Sequence, residues 1–579
     1  MSALPAPKDF VGASELRLPP RSGDWLRAPL WANRGLFGQV ALAATLINIF
    51  ALATSLFSMT VYNKVVPNNA VDTMTALLIG IGFVLGFDLM LRTLRGYFVD
   101  VAGQNIDRAL GEAIFDRLLG MRLADRTGSN GAFAGLLREF ETLREFFASA
   151  TVVALVDVPF ILLFLAVIFW VAPPLALVPV LAIPIVLGVA WASQPILDRL
   201  SQASLAEGLN KQGVIVETIA GLETIKTSRA GPMLAARWRA AVAHHAALSL
   251  RQRLVSGLAI NIAATAQNVV YVVTVAVGVS LIASHDLSMG ALVAASMLSG
   301  RCVAPLGQIA MLMTRLGHTL SAYRALDKVM RADGEAGAAM LRRGRLGGAI
   351  HFRNVRFAYP GSSAQALDGV SFAIASGERV AIIGRVGSGK STIARLILGL
   401  YTPAEGSVHV DGADVRQIHP DDLRANIGAV LQDIVLLSGS VRDNIALGDP
   451  AVDDAAVLRA ARLSGADDFM AQTPSGYDLM LADRGEGLSG GQRQAIAVAR
   501  ALTGSKPILV FDEPTSAMDI ASENALIDRL SVELDSRTVV LVTHRQSLLR
   551  LATRVIIIDA GTIVADGPRD AVLASLTVA

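Results

Sequence analysis

The sequence predicts two unlike parts in tandem: an all-α membrane domain of six spanning helices, then an α/β domain built around a phosphate-binding loop. Three observations carry that prediction. Hydrophobic residues make up 53% of the 579 and charged residues only 17%, below the roughly 25% charged share of a soluble protein. The deficit is concentrated in six apolar runs that end before residue 331. After residue 345, short β-branched runs such as Arg379-Val-Ala-Ile-Ile-Gly384 alternate with helical stretches, the pattern of an α/β layer.

The first 35 residues are polar and Pro-rich, with no apolar core of signal-peptide type, and read as a cytosolic tail. A spanning helix needs about 20 mostly apolar residues. Six stretches qualify: Leu36 to Val61, Met74 to Leu91, Phe146 to Trp170, Leu175 to Ala192, Leu254 to Ile282 and Met289 to Met313. They define a membrane domain over 36–330. The third and fourth are parted by Val171-Ala-Pro-Pro174, a tight hairpin. Orientation follows from the basic residues. Lys8, Arg17, Arg21, Arg27 and Arg34 precede the first span, and Arg92 to Arg144 and Arg199 to Arg253 fill the loops after spans two and four. The opposite loops carry only Lys64 among Lys and Arg. Both termini are therefore expected in the cytoplasm. The basic loops keep helical spacing, as in Ile106, Leu110, Ile114 and Leu118, so the membrane helices are expected to continue far beyond the bilayer. A net charge of +2 gives no case for nucleic-acid binding. One cysteine, Cys302, excludes an internal disulfide and reads as a buried or lipid-facing residue.

Residues 331–346, with Gly334, Gly337 and Gly344, read as a linker to a domain over 347–579. Gly384-Arg-Val-Gly-Ser-Gly-Lys-Ser391 fits G-x-x-x-x-G-K-[ST], follows an expected strand and opens a helix at Thr392. Gly384, Gly387 and Gly389 let backbone amides, Ser388 included, curl around phosphates, and the helix N-terminus adds a favourable field. Lys390 would reach the β- and γ-phosphates, and Ser391 would offer its hydroxyl to Mg²⁺. In Ile508-Leu-Val-Phe-Asp-Glu513 an apolar strand ends in two carboxylates. Asp512 would hold Mg²⁺ and Glu513 would act as general base on the attacking water.

Leu488-Ser-Gly-Gly-Gln492, followed by Arg493-Gln494, lies between those two motifs and resembles the signature of ATP-binding-cassette (ABC) proteins. The resemblance implies that Ser489, Gly490, Gly491 and Gln492 complete the ATP site of a second copy, hence a homodimer. It implies that Tyr359 stacks on adenine, that Gln432 senses Mg²⁺ and contacts the membrane domain, that Ser516-Ala-Met-Asp519 is the D-loop with Met518 in place of leucine, and that His544 contacts the γ-phosphate. ATP and Mg²⁺ are the implied cofactors. Exporters of this family often carry T-E-V-G-E-R-G before the signature; here Leu479-Met-Leu-Ala-Asp-Arg-Gly485 stands, with Met480 for the first glutamate and Asp483 for the second.

The membrane half resembles a half-transporter of the type I secretion permease/ATPase group, which exports RTX toxins and large adhesins. The resemblance rests on Phe57 to Pro67, Ala132 to Glu141, Val156-Asp-Val-Pro-Phe160, Gly221-Leu-Glu-Thr-Ile-Lys226 and Ala304-Pro-Leu-Gly-Gln308. It implies a bacterial inner-membrane exporter working with a periplasmic adaptor (membrane fusion protein) and a TolC-like outer-membrane channel, on a secreted polypeptide with an uncleaved C-terminal signal. The peptidase-like domain that starts many such transporters is expected to be lacking, because only a short tail precedes the first span and Cys302 sits in the sixth. An exporter of lipid or small amphiphiles would carry the same ATP chemistry, and a non-transport membrane ATPase would not need Glu513 and His544. Among polar residues within the spans, Asp88 is expected to pair with Arg92, and Asp157 to relieve backbone groups near Pro159, with a place on the translocation path as the alternative for both.

Overall fold

The computed structural model describes residues 24–125, 156–337, 340–447, 452–534 and 536–578, with positions 140, 141, 143, 146 and 449. It divides into two compact units, Met1–Leu119 with Thr127–Ala332, and Gly120–Arg126 with Asp333–Ala579.

The first unit is helical: α1 (Asp24–Ala32), α2 (Arg34–Thr60), α3 (Val71–Leu119), α4 (Phe160–Val171), α5 (Pro173–Ala220), α6 (Gly231–Ala283) and α7 (Met289–Arg331). Among the described residues, five helices are long and apolar enough to cross a membrane. The third expected span is represented by α4, 12 residues long; residues 147–155 of that span lie outside the described residues. The helices α3, α5 and α6 run 49, 48 and 53 residues. At 1.5 Å per residue they are about 72–80 Å long, against a hydrocarbon core of about 30 Å. More than half of each therefore stands outside the bilayer. The apolar spacing on α3 serves this outer part: Ile106, Leu110 and Ile114 are buried and Leu118 is half-buried.

Close approach and polar contacts hold the helices together, since lipid is as apolar as leucine. A Cβ on Gly278 would lie 2.2 Å from Leu292 Cδ1, so α6 and α7 meet where there is no side chain. After α2 the helix widens into a π turn, Val61–Val65. That turn aims Asn63 at α7, where it donates to Ser288 Oγ (3.0 Å) and accepts from Gly290 N (2.8 Å). Arg92 pairs with Asp88 at 2.7 Å, as the spacing predicts. Asp157 differs from expectation: it accepts from Asn48 Nδ2 (3.1 Å) and Arg95 Nη1 (3.1 Å), partners on two other helices, and among the described residues it meets no local backbone amide. Cys302 is fully buried.

Beside a short antiparallel pair, β7 (Gly439–Ser440) with β8 (Met480–Leu481), the second unit holds two larger sheets. One has order β2-β1-β4-β5, from β1 (Ile350–Ala358), β2 (Gln365–Ile374), β4 (Glu405–Val410) and β5 (Ala413–Asp414), all antiparallel. The other has order β12-β11-β3-β10-β9-β6, from β3 (Arg379–Ile383), β6 (Ile427–Val430), β9 (Ile508–Asp512), β10 (Thr538–Val542), β11 (Arg554–Asp559) and β12 (Thr562–Pro568). Its pairs are parallel except β11–β12. Every residue of β9 and β10 is buried, which is why both read as unbroken apolar runs. Three helices matter for the site: α8 (Lys390–Ile397), α9 (Gly490–Leu502) and α10 (Ile520–Glu533). The end of the expected linker packs on this unit. Leu341 exchanges backbone hydrogen bonds with Gln417 and His419, and Asn426 grips Leu346 N and Gly344 O.

Candidate functional site

Strand register brings the candidate residues to one edge. In the parallel ladder Val430 pairs with Phe511, Asp512 with Val542, and Val542 with Ile382. Two residues beyond Val430, Phe511, Val542 and Ile382 come Gln432, Glu513, His544 and Gly384. All four therefore leave the sheet at the carboxyl ends of adjacent strands, where open α/β sheets bind ligands.

The phosphate loop needs its glycines for space as well as for φ. Gly384 has φ +156° and a Cβ there would lie 2.0 Å from Ile558 O; Gly389 has φ +101° and would meet Ala366 O at 2.3 Å. No side chain caps the N-terminus of α8, so its first amides are available to an anion. Lys390 Nζ donates to the carbonyls of Gly384 (2.8 Å) and Arg385 (2.6 Å). Burial pulls its pKa below the ordinary lysine value, opposed by the nearby charges of Glu513 and Asp512. Ser388 and Thr392 are buried. The Tyr359 hydroxyl contacts Thr392 Oγ1 at 3.1 Å and accepts from Arg395 Nη1 at 2.7 Å. Its ring meets Phe357 and Tyr401 edge to face, so the aromatic is fixed beside α8.

Asp512, at the end of β9, is buried. Burial pushes its pKa above the usual carboxylate range, with the Glu513 charge adding to the rise, against a hydrogen bond from Ser391 and the charges of Arg395 and Lys390. Its Oδ1 is buried with no hydrogen-bond partner among the described residues. An orphaned carboxylate oxygen beside a serine hydroxyl is the donor set a hard divalent cation takes, so Ser391 and Asp512 fit Mg²⁺. Gln432 is exposed.

Glu513 has φ +53°, a conformation that costs a non-glycine residue about 1–3 kcal/mol and concentrates at active sites. Its Oε1 lies 2.7 Å from His544 Nδ1. The strained backbone is clamped from the signature helix: Gln494, buried in α9, donates to Glu513 O (2.8 Å) and Ser516 Oγ (3.1 Å) and accepts from Ala517 N (2.7 Å). A second clamp forms on α10, where buried Glu523 accepts from Thr515 (2.7 Å), Arg545 and Ser547. Burial raises the Glu523 pKa, but those three hydrogen bonds outweigh it and hold the carboxylate below its ordinary value. Neither residue stands out in the sequence: Gln494 only follows the signature, and Glu523 belongs to no motif, because its partners lie 8–24 residues away.

Ser489 caps α9 in a capping box: its Oγ accepts from Gln492 N (3.2 Å) and Gln492 Oε1 accepts from Ser489 N (2.8 Å). The hydroxyl proton remains free to donate. Gly490 and Gly491 lie against Ala517 of the D-loop, and Met518 is buried. Met480, in the loop that departs from the common exporter pattern, is exposed and pairs backbone to backbone with Ser440.

Comparison with known proteins identifies the family and the fold. The model of the ABC transporter transmembrane region matches residues 37–306, and the ABC transporter cassette model matches 367–516. The toxin RTX-I translocation ATP-binding protein of Actinobacillus pleuropneumoniae is 34% identical over 551 residues, covering 95% of this chain and 78% of that protein. The leukotoxin export ATP-binding protein LtxB of Aggregatibacter actinomycetemcomitans is 33% identical over 555 residues, with 95% and 78% covered. A bacterial Atm1-family ABC exporter solved with ATP bound superposes with a TM-score of 0.83 at 26% identity, over 95% of this chain and 96% of that one. The chain belongs to the ABC transporter family. It is a multi-pass membrane protein with the exporter fold, and its cassette binds ATP as an ATPase coupled to export.

Proposed function

We propose that this chain is the inner-membrane ATPase of a type I secretion system, exporting a polypeptide whose C-terminal signal is not cleaved. The carrying observation is the 33–34% identity to RTX-toxin and leukotoxin translocation proteins across 95% of the chain, membrane region and cassette alike. These 579 residues supply no thiol for a cysteine peptidase, since Cys302 is the only one and is fully buried. We assign both termini to the cytoplasm from the basic loops. A periplasmic adaptor and a TolC-like outer-membrane channel are the proposed partners.

In the proposed mechanism two copies close on ATP. In each, Lys390 and the amides of Gly387, Ser388 and Gly389 hold the phosphates, and Tyr359 carries the adenine. Ser391, Gln432 and Asp512 would hold Mg²⁺, which when bound would supply positive charge to offset that developing on the phosphates. Glu513 accepts the proton of the attacking water, and His544, 2.7 Å away, orients that carboxylate and faces the γ-phosphate. The free hydroxyl proton of Ser489 and the Gly490 and Gly491 amides, with Gln492 holding the cap, are presented to the other copy's nucleotide. A lone chain then turns ATP over poorly.

The test is comparative mass spectrometry of culture medium from the native host carrying wild type or Glu513→Gln. Loss of one or a few large proteins from the medium, with their accumulation in cells, is expected. An unchanged protein profile overturns polypeptide export and points to lipid or small-amphiphile cargo.

A further inference from the structure

The segment before the first spanning helix forms a built surface that the ATPase cycle does not use. Helix α1 presents two opposite stripes. Trp25 and Pro29, four residues apart, are buried. Trp25 stacks on Tyr323 of α7 at 5.6 Å and donates from Nε1 to Asp327 Oδ1 at 3.0 Å. Asp327 is held in turn by Arg331 at 2.6 Å. The elbow between α1 and α2 is pinned as well: Asn33 donates to Pro29 O (2.9 Å) and accepts from Asn105 of α3 (3.0 Å). With one face fixed, helical spacing turns Arg27 and Trp31 outward, Arg34 opens α2 beside them, and all three are exposed, Trp31 by 70%. The Arg34 guanidinium lies over the Trp31 ring at 5.3 Å. Neither arginine has an ion pair among the described residues. Together with Asp24, Ala28, Leu30 and Phe37 they line a cleft of about 710 Å³.

A surface tryptophan flanked by two unpaired arginines, next to the point where the chain enters the bilayer, is costly against water and favourable at a lipid headgroup layer. We propose that this cleft binds the headgroup of an anionic phospholipid from the leaflet at the N-terminal end of α2, with Arg27 and Arg34 on the phosphate and Trp31 at the glycerol level. The charge is complementary: two arginines without an ion pair among the described residues face the cleft against one carboxylate, Asp24. Because α1 is tied to α7 through the Trp25–Tyr323 stack and the Trp25–Asp327 hydrogen bond, headgroup occupancy bears on the position of α7. The inference concerns the membrane bundle alone and stands whatever the exported cargo.

The test uses the full chain in nanodiscs of equimolar phosphatidylglycerol and phosphatidylcholine, with native mass spectrometry of the lipid retained after release. Wild type is expected to keep phosphatidylglycerol in excess. An arginine near an anionic surface contributes about fivefold, so Arg27→Gln with Arg34→Gln is expected to lower the retained ratio about 25-fold. The double lysine variant should stay within about threefold of wild type, and Arg108→Gln, at an exposed arginine away from the cleft on α3, should not change it. Equal retention of the two lipids by wild type, an unchanged ratio in the double glutamine variant, or an equal fall in Arg108→Gln overturns the proposal. Should the double variant misfold, benzoylphenylalanine in place of Trp31 decides. A phosphatidylglycerol adduct supports the site, and cross-linking to residues 1–23 of the chain overturns it.

Discussion

The membrane bundle and the cassette dispose of apolar side chains in opposite ways. In the most apolar stretch of α3 no residue is buried inside its unit, and Phe83 and Leu89 stand 67% and 68% exposed. In β9 and β10 nothing is exposed. The difference is the solvent. Around the bundle, lipid or a second copy replaces water, so exposure carries no penalty and helix contacts rest on close approach and a few polar bridges. In the cassette water is the solvent. There, burial drives folding, and each buried polar group needs a partner. Buried Asp512 Oδ1 is without one among the described residues, and it sits where the metal and nucleotide are proposed to bind.

This contrast ranks the expected effects of substitution. The largest falls on chemistry. Glu513→Gln should lower ATP turnover by about 10²–10⁴-fold while leaving nucleotide binding intact, read by phosphate release and by retention of labelled ATP. Next is the wiring beneath the site. Glu523→Ala leaves the half-buried Arg545 without its carboxylate and Thr515 and Ser547 without their acceptor, and should cost the cassette about 2–4 kcal/mol, seen as an early melting transition. The same carboxylate gives a pH signature. Its folded pKa lies below the unfolded value near 4.3. Its contribution is therefore complete above about pH 4.3 and is lost as pH falls through the folded pKa. The stability gap between wild type and Glu523→Gln should narrow in that acid range and stay constant from pH 5 to 8. A gap that widens on acidification contradicts the assignment.

In the bundle the comparable change is steric. Gly278→Ala puts a methyl group where Leu292 already sits and should cost about 1–3 kcal/mol in detergent melting. If it exceeds Glu523→Ala, the ranking of the two regions is wrong. The smallest effect is expected at Met480→Glu, which restores the acid common in exporters at an exposed site and should change stability by no more than about 0.5 kcal/mol.

What the sequence made legible follows the same division. Strand-edge motifs were readable because the chemistry is local: a phosphate loop and a pair of carboxylates each occupy a few consecutive residues, and strand register carries them to one edge. The length of α3 was readable from Ile106, Leu110 and Ile114, because a buried stripe keeps its period outside the bilayer. The clamps were not. Gln494 acts through the backbone of Glu513, 19 residues on; Trp25 meets Asp327 across 302 residues; Asp157 finds Arg95 and Asn48 on other helices. Such contacts join side chains that only the tertiary fold makes neighbours, and nothing in local spacing announces them.

The unbroken run of α3 has a consequence for how the gene can vary. A helix turns about 100° per residue, so one residue inserted anywhere between Arg92 and Ile106 would rotate the buried stripe beyond it out of phase with its partners. Insertion of three or four residues would bring the stripe back to within about 60° or 40° of its original azimuth, at the cost of about 5 Å of added length. The spacing between the bilayer and the outer end of α3 is thereby fixed in whole turns, and lineages of this transporter should tolerate changes of length at helix ends far more readily than within the rods.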